Sequence, residues 1–200
     1  MRFIQKTQFR KWGLLATLLL PTFVAAGCGS SNVKKYQVEI RVPMTTKVSP
    51  ASRVRLVLRA ADSLEETNLS RTENYYLSEK EPLSETLIKA AANRMTAIGI
   101  EPLEDREAHL SSGHVLFVIT RLEATLVKQN WLASVELRTE RYSKEGKLLG
   151  KWNAIGRASY LDSRLFAGGA GIAMGNALSK ALGKLPWRSI ALGLRKAPAK

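Results

Sequence analysis

The fold of this chain is decided by a stretch in the middle of the sequence that reads Val115-Leu-Phe-Val-Ile-Thr-Arg-Leu-Glu-Ala-Thr-Leu-Val127. A second run, Trp131-Leu-Ala-Ser-Val-Glu-Leu-Arg-Thr-Glu-Arg-Tyr142, follows after a short gap, and a third covers 148–160 beyond a tight turn at Gly146. The second run places four apolar residues on one side: Trp131, Ala133, Val135 and Leu137. This alternation predicts strands buried on one face, and the short turns predict an antiparallel meander.

Two shorter runs upstream alternate in the same way. They read Tyr36-Gln-Val-Glu-Ile-Arg-Val-Pro43 and Arg53-Val-Arg-Leu-Val-Leu-Arg59, and Asn74-Tyr-Tyr-Leu77 suggests a further short strand. In the second run Arg53, Arg55 and Arg59 share a face. Such a stripe is typical of an anion-binding face or of the solvated side of a one-sided sheet, and we favour the second interpretation.

The clearest helix of the chain follows Pro82 and Ser84. Its apolar residues recur at helical spacing as far as Ile98, and Gly99 stands where a C-terminal glycine belongs. We therefore predict a helix that covers the sheet with its apolar face.

A second helix is predicted over 165–185, which is rich in small residues and precedes Pro186. Gly171 and Gly175 have the G-x-x-x-G spacing that lets helices approach closely in a membrane. The uncharged part is shorter than the roughly 20 residues that a membrane span needs, so we predict a closing helix packed on the sheet.

These elements predict one α+β domain over 36–194. Its core is an antiparallel sheet of about four to five strands packed against two main helices. A basic tail, 195–200, follows it.

Residues 1–27 have the composition of a secretory signal peptide. Basic residues are followed by an apolar stretch that contains Pro21 and ends in Ala25-Ala26-Gly27-Cys28. The last four residues resemble the lipobox of bacterial lipoproteins, in which small residues fit the peptidase and the thiol carries diacylglycerol. We predict cleavage between Gly27 and Cys28 and lipidation of Cys28. Cleavage by the ordinary signal peptidase, with Cys28 as a free thiol, is the alternative.

Cys28 is the only cysteine, so it forms neither an intramolecular disulfide nor a thiolate metal cluster. Gly29 follows it where an inner-membrane retention signal would carry Asp. By resemblance to Gram-negative sorting rules, this predicts the periplasmic face of the outer membrane. Residues 28–35 are expected to form a flexible, lipid-attached spacer.

The chain is strongly basic, with a net charge of +14. Arg2, Lys6, Arg10 and Lys11 precede Cys28 and no acid does, so the remainder keeps +10. A surplus of this size attracts anionic surfaces. Because the basic residues are spread along the chain, a solvated basic surface without a specific ligand is the simpler interpretation.

No catalytic or metal-binding motif is present in the sequence. The predicted loop 101–113 contains the acids Glu104, Asp105 and Glu107 with His109, but their spacing matches no metal motif. There is no G-x-S-x-G or H-E-x-x-H pattern. We expect no enzyme, no cofactor and no metal.

The chain resembles the YajG-type family of bacterial lipoproteins. The resemblance rests on the lipobox at Cys28, on Leu83-Ser-Glu-Thr-Leu-Ile-Lys-Ala-Ala-Ala-Asn-Arg-Met-Thr-Ala-Ile-Gly99, on Leu116-Phe-Val-Ile-Thr-Arg-Leu122 and on the hairpin at Gly146. Ala61-Asp62-Ser63 departs from the family's Asp-x-Arg pattern. The resemblance implies an α+β domain, outer-membrane attachment and no known activity. Auxiliary lipoproteins of envelope lipid transporters have a similar order of elements and are the alternative family.

Two functions follow as hypotheses. The first is a membrane-anchored, non-catalytic binding or scaffold domain with a protein partner in the envelope. The second is an auxiliary lipoprotein of a transport system, which handles lipid or lipopolysaccharide and has an anionic lipid as its partner. Because the chain is predicted to be exported, no nucleic-acid partner is expected.

Overall fold

The meander predicted from the middle of the sequence forms the centre of the main sheet. The computed structural model describes residues 34–44, 54–62, 68–71, 75–161 and 166–193. Its strands are β1 (Lys34–Val38), β2 (Arg55–Asp62), β3 (Asn68–Arg71), β4 (Tyr75–Glu79), β5 (Glu101–Leu103), β6 (His114–Val127), β7 (Asn130–Tyr142) and β8 (Leu148–Leu161). Its helices are α1 (Leu83–Ala97), α2 (Phe166–Gly183), α3 (Trp187–Leu192) and a 3-10 helix (Asp105–Leu110).

The main sheet has five strands in the order β5-β2-β6-β7-β8. The antiparallel pairing of β6 with β7 and of β7 with β8 confirms the predicted meander. The predicted antiparallel pairing does not extend through the whole sheet, because β2 pairs in parallel with both β5 and β6. Parallel neighbours need a long crossover, and the chain between β2 and β6 contains α1.

A second sheet, of three strands in the order β1-β4-β3, was not predicted. In it β1 lies parallel to β4, with Lys34 opposite Tyr75. The strand predicted over Tyr36 to Pro43 is confirmed only as far as Val38 and lies outside the main sheet, because residues 39–43 belong to no strand. Because β1 already begins at Lys34, the last two residues of the predicted 28–35 spacer belong to this strand.

A bulge divides β6 into two halves. The register with β7 shifts between Ile119 and Arg121. Buried residues are Val115, Phe117 and Ile119 before the shift, and Leu122 and Ala124 after it. One extra residue, Thr120, therefore keeps both halves facing the core although the alternation in the sequence changes phase.

Helix α1 follows its predicted course. Leu83, Leu87, Ala91 and Met95 are buried in the core. Gly99 follows the helix with φ of 83°, a left-handed conformation that favours glycine.

Helix α2 packs closely on both sides, as its small residues indicated. A Cβ at Gly171 or Gly175 would meet the backbone of Glu39 and Arg41, and Gly156 of β8 makes room for the carbonyl of Ala177. The G-x-x-x-G spacing thus brings a crossing peptide segment onto the helix. Among the described residues no helix has the length and hydropathy to cross a membrane.

The predicted loop 101–113 was partly wrong, since it contains β5 and the 3-10 helix. Helix α3 was not predicted, and its Trp187 donates from Nε1 to the carbonyl of Leu182 at 2.8 Å. Pro186 ends the preceding segment, and the chain resumes as a single short helix. The signal peptide 1–27, Cys28 and the tail 195–200 lie outside the described residues.

Aromatic rings join the small sheet to the turn between β6 and β7. Tyr75 lies edge-on to Trp131 at 5.8 Å between ring centroids and to Phe166 at 5.0 Å. The backbone N–H of Leu126 donates to the Tyr75 hydroxyl at 3.3 Å. Because Lys34 is paired with Tyr75, β1 begins beside the β6–β7 turn. We call this region the hairpin end of the domain.

Candidate binding surface

Cys28, which is predicted to carry the lipid, and Gly27, which is predicted to precede the cleavage site, lie outside the described residues, so the structure leaves both predictions untested. The surface considered below belongs to the main sheet.

The arginine stripe of β2 is neutralised by residues of the segment that was predicted as an acidic loop. Arg55 Nε lies 2.8 Å from a carboxylate oxygen of Glu101, and Arg59 Nη2 lies 2.9 Å from one of Asp105. Arg53 is outside the described residues. The stripe therefore agrees with the solvated side of a one-sided sheet better than with an anion site.

The same segment does not form a metal site within the described chain. Glu104 and Glu107 cap the 3-10 helix reciprocally, and Glu104 also pairs with Arg106 at 2.9 Å. The carbonyl of His109 accepts from Lys144 at 3.2 Å. These acids and His109 thus stabilise a local turn.

One face of the main sheet carries no helix over β6, β7 and β8 in the described chain. We call it the open face. Its cross-strand rows include Leu116–Glu140–Lys151, Glu123–Ser134–Arg157 and Thr125–Leu132–Ser159, and Arg138 and Asn153 form a further row with Val118, which is buried. The opposite face packs against α2 and the core. The alternation that buries Trp131 and Val135 places these polar residues outside.

Glu140 holds together the middle of the open face. It accepts from the Tyr142 hydroxyl at 2.7 Å and lies 3.2 Å from Arg138 Nε and 3.5 Å from Lys151 Nζ. The hydrogen bond from Tyr142 and the two cations hold the pKa of Glu140 below its ordinary value. The middle of the face is therefore a network in which the carboxylate and the two cations are paired with one another.

His114 stacks on Tyr142, with ring centroids 4.6 Å apart and planes inclined by 10°. Burial lowers the pKa of His114, and the charges of Arg59 and Arg141 lower it further. The imidazole therefore favours its neutral form at pH 7 and serves as a stacking partner at the edge of the open face.

Arg141, which the sequence analysis missed, is buried with 3% of its surface exposed. It donates to the carbonyls of Ser112, His114 and Tyr142, the first at 2.9 Å. Burial lowers the pKa of its guanidinium. The alternation that places Trp131 and Leu137 inside also places Arg141 inside, so extending it would have found this residue.

A cavity of about 570 Å³ lies at the hairpin end of the open face. Its apolar lining includes Val127 and Leu132, which are 47% and 46% exposed. Arg157 of β8 and Lys180 of α2 also line it, and neither has a carboxylate partner among the described residues. Glu123, the acid in the lining, pairs with Arg121 at 2.9 Å.

Strand β8 is an edge of the main sheet. Lys184 donates from Nζ to the carbonyl of Ile155 at 2.7 Å, so this carbonyl points away from β7. Because backbone groups of alternate residues point to the same side of a strand, those of Asn153 and Arg157 also point outward. No described strand pairs with this edge.

The comparisons with known proteins bear on this fold. No protein-family model matches the chain, and no curated protein matches it. Solved structures do match: a DUF330 protein from Xanthomonas campestris is similar over 80% of this chain and 96% of its own, with 14% identity and a TM-score of 0.55. The chain shares its fold with this DUF330 protein. A minor lipoprotein from Acinetobacter baumannii is similar over 75% of this chain and 100% of its own, with 11% identity and a TM-score of 0.43.

At these identities the likeness concerns the fold, and it supports the α+β class. The YajG-type resemblance stays a prediction, as do the outer-membrane location and the absence of catalysis. None of the residues predicted to act is tested by these neighbours.

Proposed function

We propose that this chain is an envelope lipoprotein whose domain binds a protein partner and catalyses no reaction. Lipid on Cys28 holds it to the outer membrane, with the domain on the periplasmic face. The lipobox and Gly29 support the anchor and its destination. The shared fold with a DUF330 protein is compatible with this assignment.

The unpaired edge of β8 carries the proposed binding role. This strand has 14 residues, longer than most edge strands, and its outward N–H and C=O groups are available for pairing. An extended peptide that adds to such an edge gains backbone hydrogen bonds and reads side chains on alternate residues. The open face beside it offers those alternate contacts.

The charge along this edge indicates an acidic partner segment. Lys184 donates to a neutral carbonyl of this edge, and Arg157 of β8 has no carboxylate partner among the described residues. The sequence after Asp162 contains no acidic residue at all. Carboxylates on the partner would pair with these cations and accelerate association at low ionic strength.

Site-specific photo-crosslinking tests the binding role. A photoreactive amino acid at Asn153 lies on the outward edge of β8, and one at Thr96 lies on the exposed side of α1 as a control. We expect a defined crosslinked protein in cells from position 153 and none from position 96. Equal crosslinking at both positions, or none at 153, would contradict the proposed edge.

Labelling with radioactive palmitate tests the anchor separately. We expect label on the wild-type chain and none after Cys28→Ala. Absence of label from the wild type would leave Cys28 as a free thiol and remove the membrane anchor from the proposal.

A second candidate function is a lipid- or lipopolysaccharide-handling auxiliary lipoprotein. The observation that favours it is the cavity at the hairpin end, where exposed aliphatic side chains lie beside Arg157 and Lys180. It differs from the first in its ligand, an anionic amphiphile, and in its location at the end of the open face.

A further inference from the structure

The hairpin end combines apolar and basic residues that the charge-paired middle of the open face lacks. Val127, Leu132 and Leu161 are large aliphatic side chains with 47%, 46% and 64% of their surface exposed. Val127 and Leu161 lie in one cross-strand row, because both pair with Asn130. Leu132 lies in the next row on the same face of the sheet. Exposed aliphatic residues clustered in this way indicate a contact surface.

The cations at this end are available to an external anion. Arg157 of β8 pairs with Ser134 of β7, so the residue directly opposite it carries no carboxylate. Glu123, the nearest acid in the lining, is already paired with Arg121. Lys180 and Lys128 are exposed and have no carboxylate partner within the described chain.

The first described strand after the predicted lipid anchor begins at the same end of the domain. Strand β1 begins at Lys34, which is paired with Tyr75 beside the β6–β7 turn. Only five residues separate Lys34 from Cys28, so six Cα–Cα steps join them. A fully extended chain of that length spans no more than about 22 Å, so the bilayer surface lies within reach of the hairpin end.

We propose that the cavity at the hairpin end binds anionic phospholipid of the membrane to which the protein is tethered. Val127 and Leu132 would contact the acyl region, and Arg157 and Lys180 would bind the phosphate. Volume supports this assignment, since about 570 Å³ is within the range of small-ligand sites. The inference rests on the proposed anchor at Cys28 and deepens the second candidate function.

The test uses the lipidated mature protein in vesicles, whose only native cysteine carries lipid. A spin label is introduced through Ser159→Cys, which lies in the cavity lining, or through Leu148→Cys, an exposed position beside the β7–β8 turn, as a control. Vesicles contain phosphatidylcholine alone or with about one-third phosphatidylglycerol. The measurement is collision of the label with a paramagnetic relaxant fixed to lipid headgroups.

We expect headgroup contact for the label at 159 in phosphatidylglycerol vesicles and little contact for the label at 148. R157Q/K180Q should shift the equilibrium away from contact by about 30-fold, because each basic residue near an anionic surface contributes about fivefold. K144Q/K147Q removes the same charge from the opposite turn and should change little. If lipopolysaccharide or an acidic peptide removes the label at 159 from headgroup contact more effectively than added phosphatidylglycerol does, the cavity binds that competitor and the proposed ligand is wrong.

The outcomes separate the two proposals. If palmitate labels Cys28 but the label at 159 contacts no headgroups in either vesicle, the anchor stands and the lipid site is wrong. If palmitate does not label Cys28, the anchor itself fails.

Discussion

Gly175 of α2 lies directly against the backbone carbonyl of Arg41, so closely that a Cβ at this position would overlap it. Gly171, one turn earlier, lies against the carbonyl of Glu39 in the same way. The N–H of Arg41 also donates to the carbonyl of Gly171 at 3.4 Å. The two glycines therefore let the chain that follows β1 cross the helix at backbone contact.

Gly175→Ala is expected to destabilise the protein by about 1–3 kcal/mol, since the helix or the crossing segment must move. Gly183→Ala in the same helix is the matched control, because its Cβ would meet only Arg94 Nη2, at 3.6 Å. Urea unfolding of both variants measures the difference. Equal free energies of unfolding for the two variants would show that the crossing segment moves aside without loss of stability.

Arg141→Met should lower the free energy of unfolding by about 2–3 kcal/mol, because charge-assisted hydrogen bonds to three carbonyls are lost. Arg138→Met, on the opposite side of β7, is the control. Its guanidinium forms a partly exposed ion pair with Glu140, for which we expect a loss below about 1 kcal/mol. Thermal unfolding of both variants tests this, and a larger loss for Arg138→Met would contradict the assignment.

Glu140 should make stability depend on pH in the acid range. Its pKa in the folded protein lies below the ordinary value of 4.5, so its contribution is present above that pH and is lost as pH falls through the folded pKa. Glu140→Gln should flatten the decline in unfolding free energy below pH 4.5. Tyr142→Phe, which removes the largest cause, should flatten it in part. An unchanged slope in both variants would argue against the network.

The direction of the backbone N–H groups in β8 predicts where proline is tolerated in this strand. Asn153→Pro should be tolerated, because its N–H points away from β7, whereas Ala154→Pro removes a ladder hydrogen bond and should cost on the order of 3 kcal/mol. Circular dichroism and urea unfolding distinguish the two. Comparable loss in both would mean that residue 153 is not directed outward.

Much of the fold was predicted from local patterns. Period-two alternation located β6, β7 and β8, and helical spacing with Gly99 located α1, because these signals arise from which side of an element faces the core. The same alternation, extended to Arg141, would have found the buried arginine. The alternation in β6 breaks at Thr120. Only the pairing with β7 shows that a bulge there turns the apolar residues of the second half of β6 back toward the core.

The sequence by itself determined the basic charge, the single cysteine, the meander and the two main helices, and it predicts the lipobox. Each of these depends on residues that are adjacent in the chain or one turn apart. Tertiary structure decided that β2 runs parallel to β6, that β1 joins a separate sheet and that Glu101 and Asp105 neutralise the arginine stripe. It also placed the start of β1 beside the β6–β7 turn. These contacts join residues that are distant in the sequence. Their free energy depends on how the complete domain packs, so local sequence patterns do not predict them.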